Sequence, residues 1–546
     1  MSDRAKDLLQ RHGQLVGERA NWDAHWQQIA ERICPHLADF TVTRASGERR
    51  TEKMFDSTGS LALQTFSAAL GSLIMPREQR WHGLRSGIES VDRKPRVQAY
   101  FEAVTDALFY ARYSPRANFE NQLHEVRVSL GAFGTGPLWV DEVLGEGISY
   151  RCIHMSEVVI EENHHGLVDR AYRKGKLPAR EWVKRWGDDA LRMKSVRDAM
   201  APDGDPNRPL EFVHCIRPRE DRDPERMDWR GMPFESLVVS CTDIEIVREG
   251  GYRSMPLLVP RFTASPREPY GRSPAMMALP DLKMANEQKK TMMEAGHRAV
   301  KPPLLTADDG VLGKLNLKPN AVNVGGLDHQ GRQMVQPMQF GGQLAFGMEL
   351  LADTQKLIER AFLVPLFSVL SDTPDRMTAT EVLERAKEKG ILLRPAAGKI
   401  EAELLGPMIE REIDILAAMG RLPPLPPELA EIDGEYRVTY DNPLQRAARS
   451  ERSAGLLRSL EALAPAAGII GPDVYASIDF DEAVPGLLQD QGVPPSWIKT
   501  RERLEADKAQ AAAVAEAGQL LQGAEVAGKA ALSFAKAQEA AGAAGL

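Results

Sequence analysis

A long, polar segment near the middle of the sequence limits the folds that this chain can adopt. Ser273 and Pro274 are suited to the cap and first residue of a helix, and Lys301 followed by two prolines is suited to its end. The helix of about 25 residues predicted between them would be roughly 35–40 Å long. Its apolar stripe is thin and rich in methionine, so we do not expect it to lie in the core of a single chain.

The residues after this helix predict an antiparallel hairpin with a β-rich tip. Turn sequences such as Asp308-Asp309-Gly310 and Lys318-Pro319-Asn320 punctuate residues 302–340. Helical spacing returns from Leu344 to Phe362. A helix, a small β insert and a second helix in this order favour two helices side by side, with the insert at their far end.

A loop and a further helix are predicted next. Residues 365–375 begin apolar and end acidic, which is typical of a loop between helices. Thr378 and Glu381 have the spacing of a capping box, and helical sequence continues to about residue 419. We expect interruptions of that helix at Gly390, Pro395 and Pro407.

The N-terminal half predicts an α+β fold. Apolar residues recur at helical spacing over the first 130 residues. From Pro137 to about Phe262 the pattern changes to short β-rich runs, with one helical piece near Trp182. The predicted fold class is therefore α+β and predominantly helical.

The C-terminal part predicts one strand followed by helices. Residues 436–440 have strand propensity, and helical sequence continues as far as about Trp497. The last 36 residues contain 15 alanines and few large apolar side chains, so a helix there has too little apolar mass to fold alone. This end either packs in a helical tube with other chains or frays, and the sequence does not decide between these alternatives.

The overall charge argues against tight, sequence-specific binding of DNA. The 546 residues carry a net charge of −8, with a pI near 5.9, whereas proteins that grip phosphates normally have a concentrated basic face. This charge remains compatible with a protein that encloses DNA and lets it slide. The chain is long enough for two to four structural regions.

Four widely separated cysteines indicate a reducing compartment. Cys34, Cys152, Cys215 and Cys241 have neither CxxC spacing nor the density of a disulfide scaffold, so we expect core thiols. The N-terminus lacks the apolar region of a signal peptide, and no segment approaches the length of a membrane span. We expect the protein to be made and kept in the cytoplasm, without a membrane partner.

No sequence motif supports an enzymatic reaction. The segment Gly310 to Lys314 lacks the spacing and the hydroxyl of a phosphate-binding P-loop, and no lysine follows the glycine-rich turn Gly131 to Gly136. The scattered serines lack the GxSxG pattern of an acyl-transfer site. We therefore predict no catalytic residues and no cofactor.

One compact cluster could supply metal ligands. It consists of Glu161, Glu162, His164 and His165. No HExxH motif or matched distant pair accompanies the cluster, so a solvated turn is the favoured interpretation, and we predict no metal site.

Several short segments, taken in their order along the chain, carry a resemblance to a known family. They are Trp22 to Ala30 with Pro35, Phe55 to Thr58, Leu73 to Pro76 with Trp81, Tyr270 to Pro274, Lys301 to Leu304, Thr378 to Val382 with Arg385, and Asn442 to Leu444. Their order and spacing resemble the portal (head-to-tail connector) proteins of short-tailed, podovirus-type bacteriophages. The resemblance runs over most of the chain.

The resemblance implies a division of the chain into the regions of a portal subunit. These are a wing-like region (1–272, with its α+β part from about 137), a first stem helix (273–301), a clip (302–340), a second stem helix (341–364), a tunnel loop (365–377), a long wing or crown helix (378–424), a crown (425–500) and an alanine-rich C-terminal helical barrel (501–546).

The resemblance also implies a non-enzymatic protein that forms a ring, usually of twelve subunits, at one vertex of the capsid. Double-stranded DNA would pass through the ring without sequence-specific contacts. The implied partners are the terminase motor, the capsid or scaffolding protein and the tail adaptor, and the implied location is the virion after assembly in the cytoplasm of the bacterial host. Two alternatives are another phage ring protein, such as an adaptor or tail component, and, less favoured, a DNA-processing enzyme.

Four basic residues of the first stem helix are the candidates for DNA contact in the channel. They are Lys289, Lys290, Arg298 and Lys301. Residues 274–301 contain five basic and three acidic side chains, which gives a local charge of +2 in a chain that is acidic overall. In a ring, such residues would form basic belts that meet backbone phosphates. For each residue, an orientation toward a neighbouring subunit or toward solvent is equally open.

Two further sets of candidates follow from the implied tunnel loop and clip. The tunnel-loop candidates are Ser371, Asp372, Thr373, Pro374, Asp375 and Arg376. The two aspartates would repel phosphate, which favours a non-stick collar around DNA over a clamp, although an ordinary surface turn would have the same composition. The clip candidates for the docking of partners are Asp308, Asp309, Lys314, Lys318 and Arg332.

Overall fold

The computed structural model of the chain contains two compact units. One unit comprises Met1–Ser86 and Tyr100–Asn442, and the other comprises Gly87–Ala99 and Pro443–Leu546. The residues whose structure is described are 3–43, 45, 47–143, 147–306, 327, 330–337, 344–371, 394–432, 434–441, 455–456, 458–465, 478–490, 503–504, 506–507 and 509–510. No helix within these residues combines the length and the hydropathy of a transmembrane span.

Helices make up most of the described secondary structure. Those with bounds inside the described segments are α1 (Asp3–Glu18), α2 (Ala20–Ile33), α3 (Thr58–Ile74), α4 (Glu89–Asp92), α5 (Pro95–Arg112), α6 (Phe119–Phe133), α7 (Ala179–Trp186), α8 (Asp188–Leu191), α9 (Lys194–Met200), α10 (Pro274–Val300), α11 (Leu344–Ala361), α12 (Val364–Ser371), α13 (Gly406–Ala418), α14 (Pro427–Ala430) and α15 (Phe480–Asp490).

The strands form two larger sheets and two ribbons, so the fold is α+β with more helix than strand, in agreement with the sequence analysis. The strands are β1 (His82–Arg85), β2 (Leu138–Val143), β3 (Gly147–Cys152), β4 (Val158–Glu162), β5 (Val168–Pro178), β6 (Pro209–Pro218), β7 (Phe234–Ser240), β8 (Glu245–Tyr252), β9 (Leu257–Leu258), β10 (Leu304–Thr306), β11 (Val335–Pro337) and β12 (Arg437–Tyr440). β4 to β8 form a five-stranded antiparallel sheet in chain order, and β3, β2 and β9 form a three-stranded sheet. β1 pairs with β12, and β10 pairs with β11.

The five-stranded sheet is covered by helices on both faces. On one face, Leu237 and Val239 of β7 belong to a buried apolar cluster with Leu8 of α1. On the other face, Val238 of β7 belongs to a cluster with Trp182 of α7. Alternate residues of β7 therefore pack against different helices, as the pleat of a strand requires. The predicted β-rich region after residue 137 is confirmed, and its sheet lies inside the core.

α3 and α6 approach each other closely in the helical layer. A Cβ added to Gly131 of α6 would lie 2.6 Å from Leu63 Cδ1 and 2.9 Å from Phe66 Cδ1, both on α3. Trp26 of α2 is fully buried, and its indole Nε1 donates a hydrogen bond of 3.0 Å to the carbonyl oxygen of Phe133 at the end of α6. A residue without a side chain at the α3–α6 contact therefore makes room for large apolar groups.

The bounds of α10 confirm the predicted cap and end of this helix. Ser273 Oγ accepts a hydrogen bond of 3.0 Å from the backbone N–H of Met276, and the helix ends before Lys301. The expectation that α10 lies outside the core is wrong for its first half, where residues such as Leu279 and Leu282 are buried. Several alanines on this side add little apolar mass to the sequence pattern but let α10 pack against α2 and α6. From residue 287 onward, no side chain of α10 is buried.

α10 and α11 form an antiparallel hairpin, as predicted. A Cβ added to Gly347, near the start of α11, would lie 3.6 Å from Met292 Cγ in the second half of α10. Gln355 and Asn286, which lie further from the tip on each helix, both bond to Asp56. The β10–β11 ribbon, in which Leu305 pairs with Gln336, joins the described parts of the insert. Residues 307–326 lie outside the described part of the chain.

The loop predicted from residue 365 is wrong for its first part, because Val364–Ser371 forms helix α12. Leu363, with a φ of +59°, makes the bend between α11 and α12. Pro365 lies in the first turn of α12, where a residue without an N–H is favoured, so this proline begins a helix instead of excluding one. Residues 372–377 of the predicted loop lie outside the described residues.

The predicted interruption at Pro407 is wrong, because residues 394–418 are helical throughout, whereas the one predicted at Pro395 is untested because residues 372–393 lie outside the described part of the chain. A π-helical turn, Glu401–Leu405, ends two residues before Pro407, and the N–H of Gly406 bonds to the carbonyl of Glu401. In a π-helical turn an N–H bonds to the carbonyl five residues earlier instead of four. The hydrogen-bond pattern therefore shifts just before Pro407, which has no N–H to donate. Gly390, the start of this helix and most of residues 501–546 lie outside the described part of the chain.

Candidate functional site

Hydrogen bonds to the segment before α3 hold the base of the α10–α11 hairpin. Asn286 Oδ1 accepts from the backbone N–H groups of Phe55 at 2.6 Å and Asp56 at 3.0 Å, and its Nδ2 donates to the carbonyl of Leu282 at 2.8 Å. Gln355 Nε2 donates to Asp56 Oδ1 at 2.8 Å. Asn286 and Asp56 are buried, whereas Phe55 and Gln355 are more accessible, and together these bonds connect both helices to one short segment.

All four predicted DNA-contact residues follow the buried half of α10. Lys289 and Lys290 are half-buried, whereas Arg298 and Lys301 are exposed. At about 100° per residue, Lys290, Arg298 and Lys301 fall within about 80° of one another around the helix axis, and Lys289 lies about 100° from Lys290. The helix therefore brings three of the four candidates to one side and turns the fourth away from them.

Two of these cations interact with groups of the same chain. Lys290 Nζ lies 5.8 Å from the centre of the Phe55 ring, within the range of a cation–π interaction. Arg298 Nη2 lies 3.8 Å from Glu294 Oε2, one helical turn away. Exposed pairs of this kind contribute roughly 0.3–0.5 kcal/mol, so Arg298 remains available to a phosphate.

Both helices of the hairpin expose large apolar side chains. Phe346, Leu350 and Leu357 of α11 are 63%, 45% and 46% exposed, and their spacing of four and seven places them on one stripe. Met277 and Met284 of α10 are 77% and 43% exposed and lie seven residues apart. Several large apolar side chains exposed on one pair of helices are typical of protein–protein interfaces.

The other predicted site residues fall at or beyond the edges of the described segments. Ser371 is the last residue of α12, and Arg332 is exposed beside the β10–β11 ribbon. The candidates Asp308, Asp309, Lys314, Lys318, Asp372, Thr373, Pro374, Asp375 and Arg376 lie outside the described residues.

The side chains of the cluster considered as metal ligands have other partners. Glu161 Oε1 lies 2.5 Å from Arg11 Nη2, and Glu162 pairs with Arg261. The rings of His164 and His165 lie against each other, with centres 3.7 Å apart. The intervening Asn163 Oδ1 accepts backbone N–H bonds from His165 at 2.9 Å and Leu167 at 3.1 Å, which closes a turn. The carboxylates are therefore directed to arginines and not toward the imidazoles.

A buried polar group that the sequence analysis missed joins α5 to α13. Arg112 pairs with Glu412, Tyr150 Oη donates to Glu412 Oε1 at 2.5 Å, and Arg112 Nη1 lies 3.0 Å from His82 Nε2. Burial, reinforced by Glu412, raises the pKa of Tyr150, while burial and the charge of Arg112 lower the pKa of His82. The group therefore contains one positive and one negative charge, with neutral tyrosine and histidine.

A second buried arginine ties the π-helical turn to the sheet. Arg261 Nη2 lies 2.5 Å from Glu403 Oε1 in that turn, and its Nη1 pairs with Glu162 at the end of β4. The same guanidinium donates to the carbonyl of Gly166 at 2.8 Å. The two buried arginine groups thus fix the long helix after residue 394 onto the N-terminal α+β region at two points.

Comparison with known proteins assigns the family. The family model described as bacteriophage head to tail connecting protein matches residues 5–498. The chain belongs to this family. The connector is 28% identical over 534 residues to the probable portal protein of Bordetella phage BPP-1, an alignment that covers 96% of this chain and 95% of the relative. It is 26% identical over 531 residues to the portal protein of Salmonella phage epsilon15, with coverages of 94% and 92%.

One solved structure aligns with a large part of the connector. A chain from the virion of a native gene transfer agent particle aligns over 74% of the connector and 84% of that chain, with a TM-score of 0.31 and 13% identity. Similarity at this level carries no structural inference. Family membership and the two phage relatives show that the connector is a phage portal, a structural protein that connects head and tail, and not an enzyme.

Proposed function

We propose that copies of the connector form a closed ring at one capsid vertex, around a channel for double-stranded DNA. The observation that carries this proposal is the exposed apolar surface of the α10–α11 hairpin, on which Phe346, Leu350 and Leu357 form a stripe that one chain leaves uncovered. For a member of this family of connecting proteins, the partner expected on this apolar surface is the same hairpin of a second copy. A contact that joins different faces of successive copies closes into a ring when its rotation allows.

The ring has twelve subunits, and α10 and α11 form its stem. In this assignment residues 1–272 are the wing, 302–340 the clip, 365–377 the tunnel region, 378–424 the long wing or crown helix, 425–500 the crown and 501–546 a helical barrel. The first half of α10, which packs within the chain, anchors the stem to the wing. The side chains of the second half are exposed or half-buried, and the exposed ones can meet a neighbouring subunit or DNA.

DNA contact in the channel involves the cations of the second half of α10 and Lys301, which directly follows the helix. Lys290, Arg298 and Lys301 share one side of the helix and repeat in every subunit, so a ring would contain belts of positive charge. Contacts of this kind reach backbone phosphates and do not read sequence. The acidic composition of the chain as a whole keeps the grip weak enough for DNA to move.

The connector assembles in the host cytoplasm and remains in the virion. Its partners are capsid or scaffolding protein during assembly, the terminase motor during packaging and the tail adaptor afterwards, with the clip as the docking region. Charged residues of that region, from Asp308 to Arg332, are the candidates for these contacts.

The segment after Ser371 narrows the tunnel, and deletion of Ser371 to Asp375 should leave rings intact while packaged DNA leaks. Filled heads of normal DNA content would contradict this role.

The experiment that tests the ring is particle mass of the purified full-length chain, with images of negatively stained particles. We expect annular particles of about twelve copies, and we expect Leu350→Glu with Leu357→Glu to yield folded single chains. Lys356→Glu is the matched control, because Lys356 is exposed on the same helix and is not one of the apolar side chains of the stripe. Compact monomers from the wild-type chain, or rings that persist in the double glutamate variant, would contradict the proposed contact.

DNA contact is tested separately on assembled rings. We expect Lys290→Gln with Lys301→Gln to weaken binding of duplex DNA and to reduce the dependence of log Kd on log salt by roughly 0.9 for each phosphate that the variant no longer neutralises. Lys356→Gln removes one exposed charge from α11 and is the control. An unchanged salt dependence in the double variant would place DNA away from these cations.

A further inference from the structure

A polar cavity of about 280 Å³ lies between the five-stranded sheet and the end of α7. Its basic lining residues are Arg185 of α7 and Arg248 of β8, both exposed at its edge. His214 of β6 and Ser236 of β7 also line it, and both are buried. The cavity thus combines accessible guanidinium groups with shielded polar groups. Neither ring formation nor DNA contact, as proposed for α10 and α11, uses it.

The register of the sheet places these groups on one face. His214 pairs with Val238, and Val238 pairs with Arg248, so these three side chains form a row across β6, β7 and β8. Ser236, two residues before Val238, pairs with Gly250 in the next row. His214 Nε2 and Ser236 Oγ lie 2.8 Å apart and connect the two rows.

The cavity has more positive than negative charge. Neither Arg185 nor Arg248 has an ion-pair partner among the residues that the structure describes. The carboxylate that lines the cavity, Asp141, already has Arg411 at 3.2 Å from its Oδ1. Burial, together with the nearby Arg185 and Arg173, lowers the pKa of His214 to about 3, so the imidazole is neutral. Two guanidinium charges therefore face this cavity without a counter-ion.

A glycine keeps the cavity open. Gly250 lies within strand β8, where glycine weakens a strand, and it does not have a positive φ. A Cβ at this position would meet only Ser236 Cβ, at 3.9 Å, so crowding does not require glycine here. Any larger side chain at residue 250 would project from the face that carries His214 and Arg248 and would occupy the cavity.

We propose that this cavity binds a small oxyanion, a phosphate group or a carboxylate, between Arg185 and Arg248. Guanidinium groups match both anions in charge and in hydrogen-bond geometry. His214 Nε2 and Ser236 Oγ lie 2.8 Å apart, and Ser236 also hydrogen-bonds with the Tyr252 hydroxyl, so the two arginines supply the hydrogen-bond donors for the anion. At roughly 30 Å³ per water molecule, the cavity volume corresponds to about nine waters, which suits one hydrated anion and excludes a DNA duplex.

Titration of the full-length protein with inorganic phosphate, and separately with acetate, at constant ionic strength tests the proposal. Trp186 lines the cavity and Trp139 lies 5.3 Å from His214 between ring centres, so tryptophan fluorescence should report binding alongside calorimetry. We expect one saturable site per chain, weakened at least tenfold by Arg185→Gln with Arg248→Gln. Arg192→Gln with Arg197→Gln removes the same charge from exposed positions of the neighbouring helical segment and should leave binding unchanged.

A second variant removes the space instead of the charge. Gly250→Val should abolish binding while the far-ultraviolet circular dichroism spectrum stays that of the wild type. Saturation by phosphate at lower concentration than by acetate would identify a phosphate group as the ligand, and the reverse order would identify a carboxylate such as a partner's acidic side chain. Absence of saturable binding of either probe, or equal binding by the Arg185 and Arg248 variant and its control, would overturn the proposal.

Discussion

Arg112 and Glu412, which lie 300 residues apart in sequence, form a two-bond ion pair with both side chains fully buried. Arg112 Nη2 lies 2.5 Å from Glu412 Oε2, and Arg112 Nε lies 3.1 Å from Glu412 Oε1. The pair joins the last residue of α5 to the middle of α13. Because its geometry satisfies both charges away from water, removal of either partner leaves an isolated charge in the core.

We expect Glu412→Gln to destabilise the larger unit by about 3–5 kcal/mol, since the buried guanidinium loses its counter-charge. The combined replacement Arg112→Met with Glu412→Leu should lower the free energy of unfolding by less than the sum of the losses caused by Arg112→Met alone and Glu412→Leu alone. Urea unfolding followed by tryptophan fluorescence measures both, and Trp81, whose ring centre is 4.7 Å from Arg112 Cζ, is a local probe. Arg226→Gln, which breaks an exposed pair with Asp228, is the control. A Glu412→Gln variant as stable as this control would contradict the argument.

Replacement of Asn286 by alanine should loosen the base of the α10–α11 hairpin. The change removes the acceptor of the Phe55 and Asp56 N–H groups, and an unsatisfied buried donor costs about 1–3 kcal/mol. We expect faster hydrogen exchange at residues 55 and 56 and in the first half of α10. Exchange within the distant five-stranded sheet should stay unchanged.

Asn121→Ala is the matched control for this experiment. Asn121 is exposed on α6, and its side chain bonds to Asn118 Oδ1 at 2.8 Å without reaching another helix. If both alanine variants gave the same exchange at residues 55 and 56, the hydrogen bonds of Asn286 would not be what holds the hairpin.

Buried histidines should make the connector less stable as the pH falls below neutrality. Burial, with help from Arg185 and Arg173, lowers the pKa of His214 to about 3 in the folded state, against 6.5 in the unfolded chain. The unfolded chain therefore takes up the proton first, and stability is lost as the pH falls from about 6.5 toward 3. At pH 5.5 this group alone should cost about 1.4 kcal/mol.

Melting temperatures in phosphate-free buffers at pH 7.5 and pH 5.5 measure this loss. His12, with a pKa lowered to about 4 by burial and by Lys174 and Arg19, adds to the same trend. His214→Gln should reduce the difference between the two melting temperatures, whereas replacement of the exposed His36 should not. An identical difference in both variants would show that His214 does not contribute.

The sequence predicts those parts of the fold that follow from local signals. Ser273 before Pro274 defines the start of α10 because a serine cap and a proline at the first position act on adjacent residues. Spacing alone also predicts α11 and the strand at residues 437–440. It does not predict that this strand pairs with His82–Arg85, because pairing across 350 residues has no local signal.

Wrong predictions arise where one residue type suits two structures. Pro365 and Pro407 have the pattern of helix breakers, yet each lies in the first turn of a helix or beside a π turn. The buried ion pair has a signal in the sequence: Arg112 follows Leu108 by four residues on the apolar stripe of α5, and Glu412 follows Met408 in the same way on α13. A charge on each of two apolar stripes indicates that both are buried together, although it does not identify the partner.

Two glycines should respond in opposite ways to replacement by alanine. Gly131 lies at the α3–α6 contact, and Gly13 lies on α1, where it has no close neighbour. Gly131→Ala should destabilise the larger unit by about 1–3 kcal/mol, because its Cβ would lie 2.6 Å from Leu63 Cδ1 and 2.9 Å from the Phe66 ring, and both side chains are buried, so they have little room to turn away. Gly13→Ala on α1 meets nothing within 4 Å and should stabilise that helix by about 0.5–1 kcal/mol. Urea unfolding of the two variants side by side measures both effects. Equal shifts in the same direction would mean that helix propensity, and not the contact with Leu63, governs residue 131.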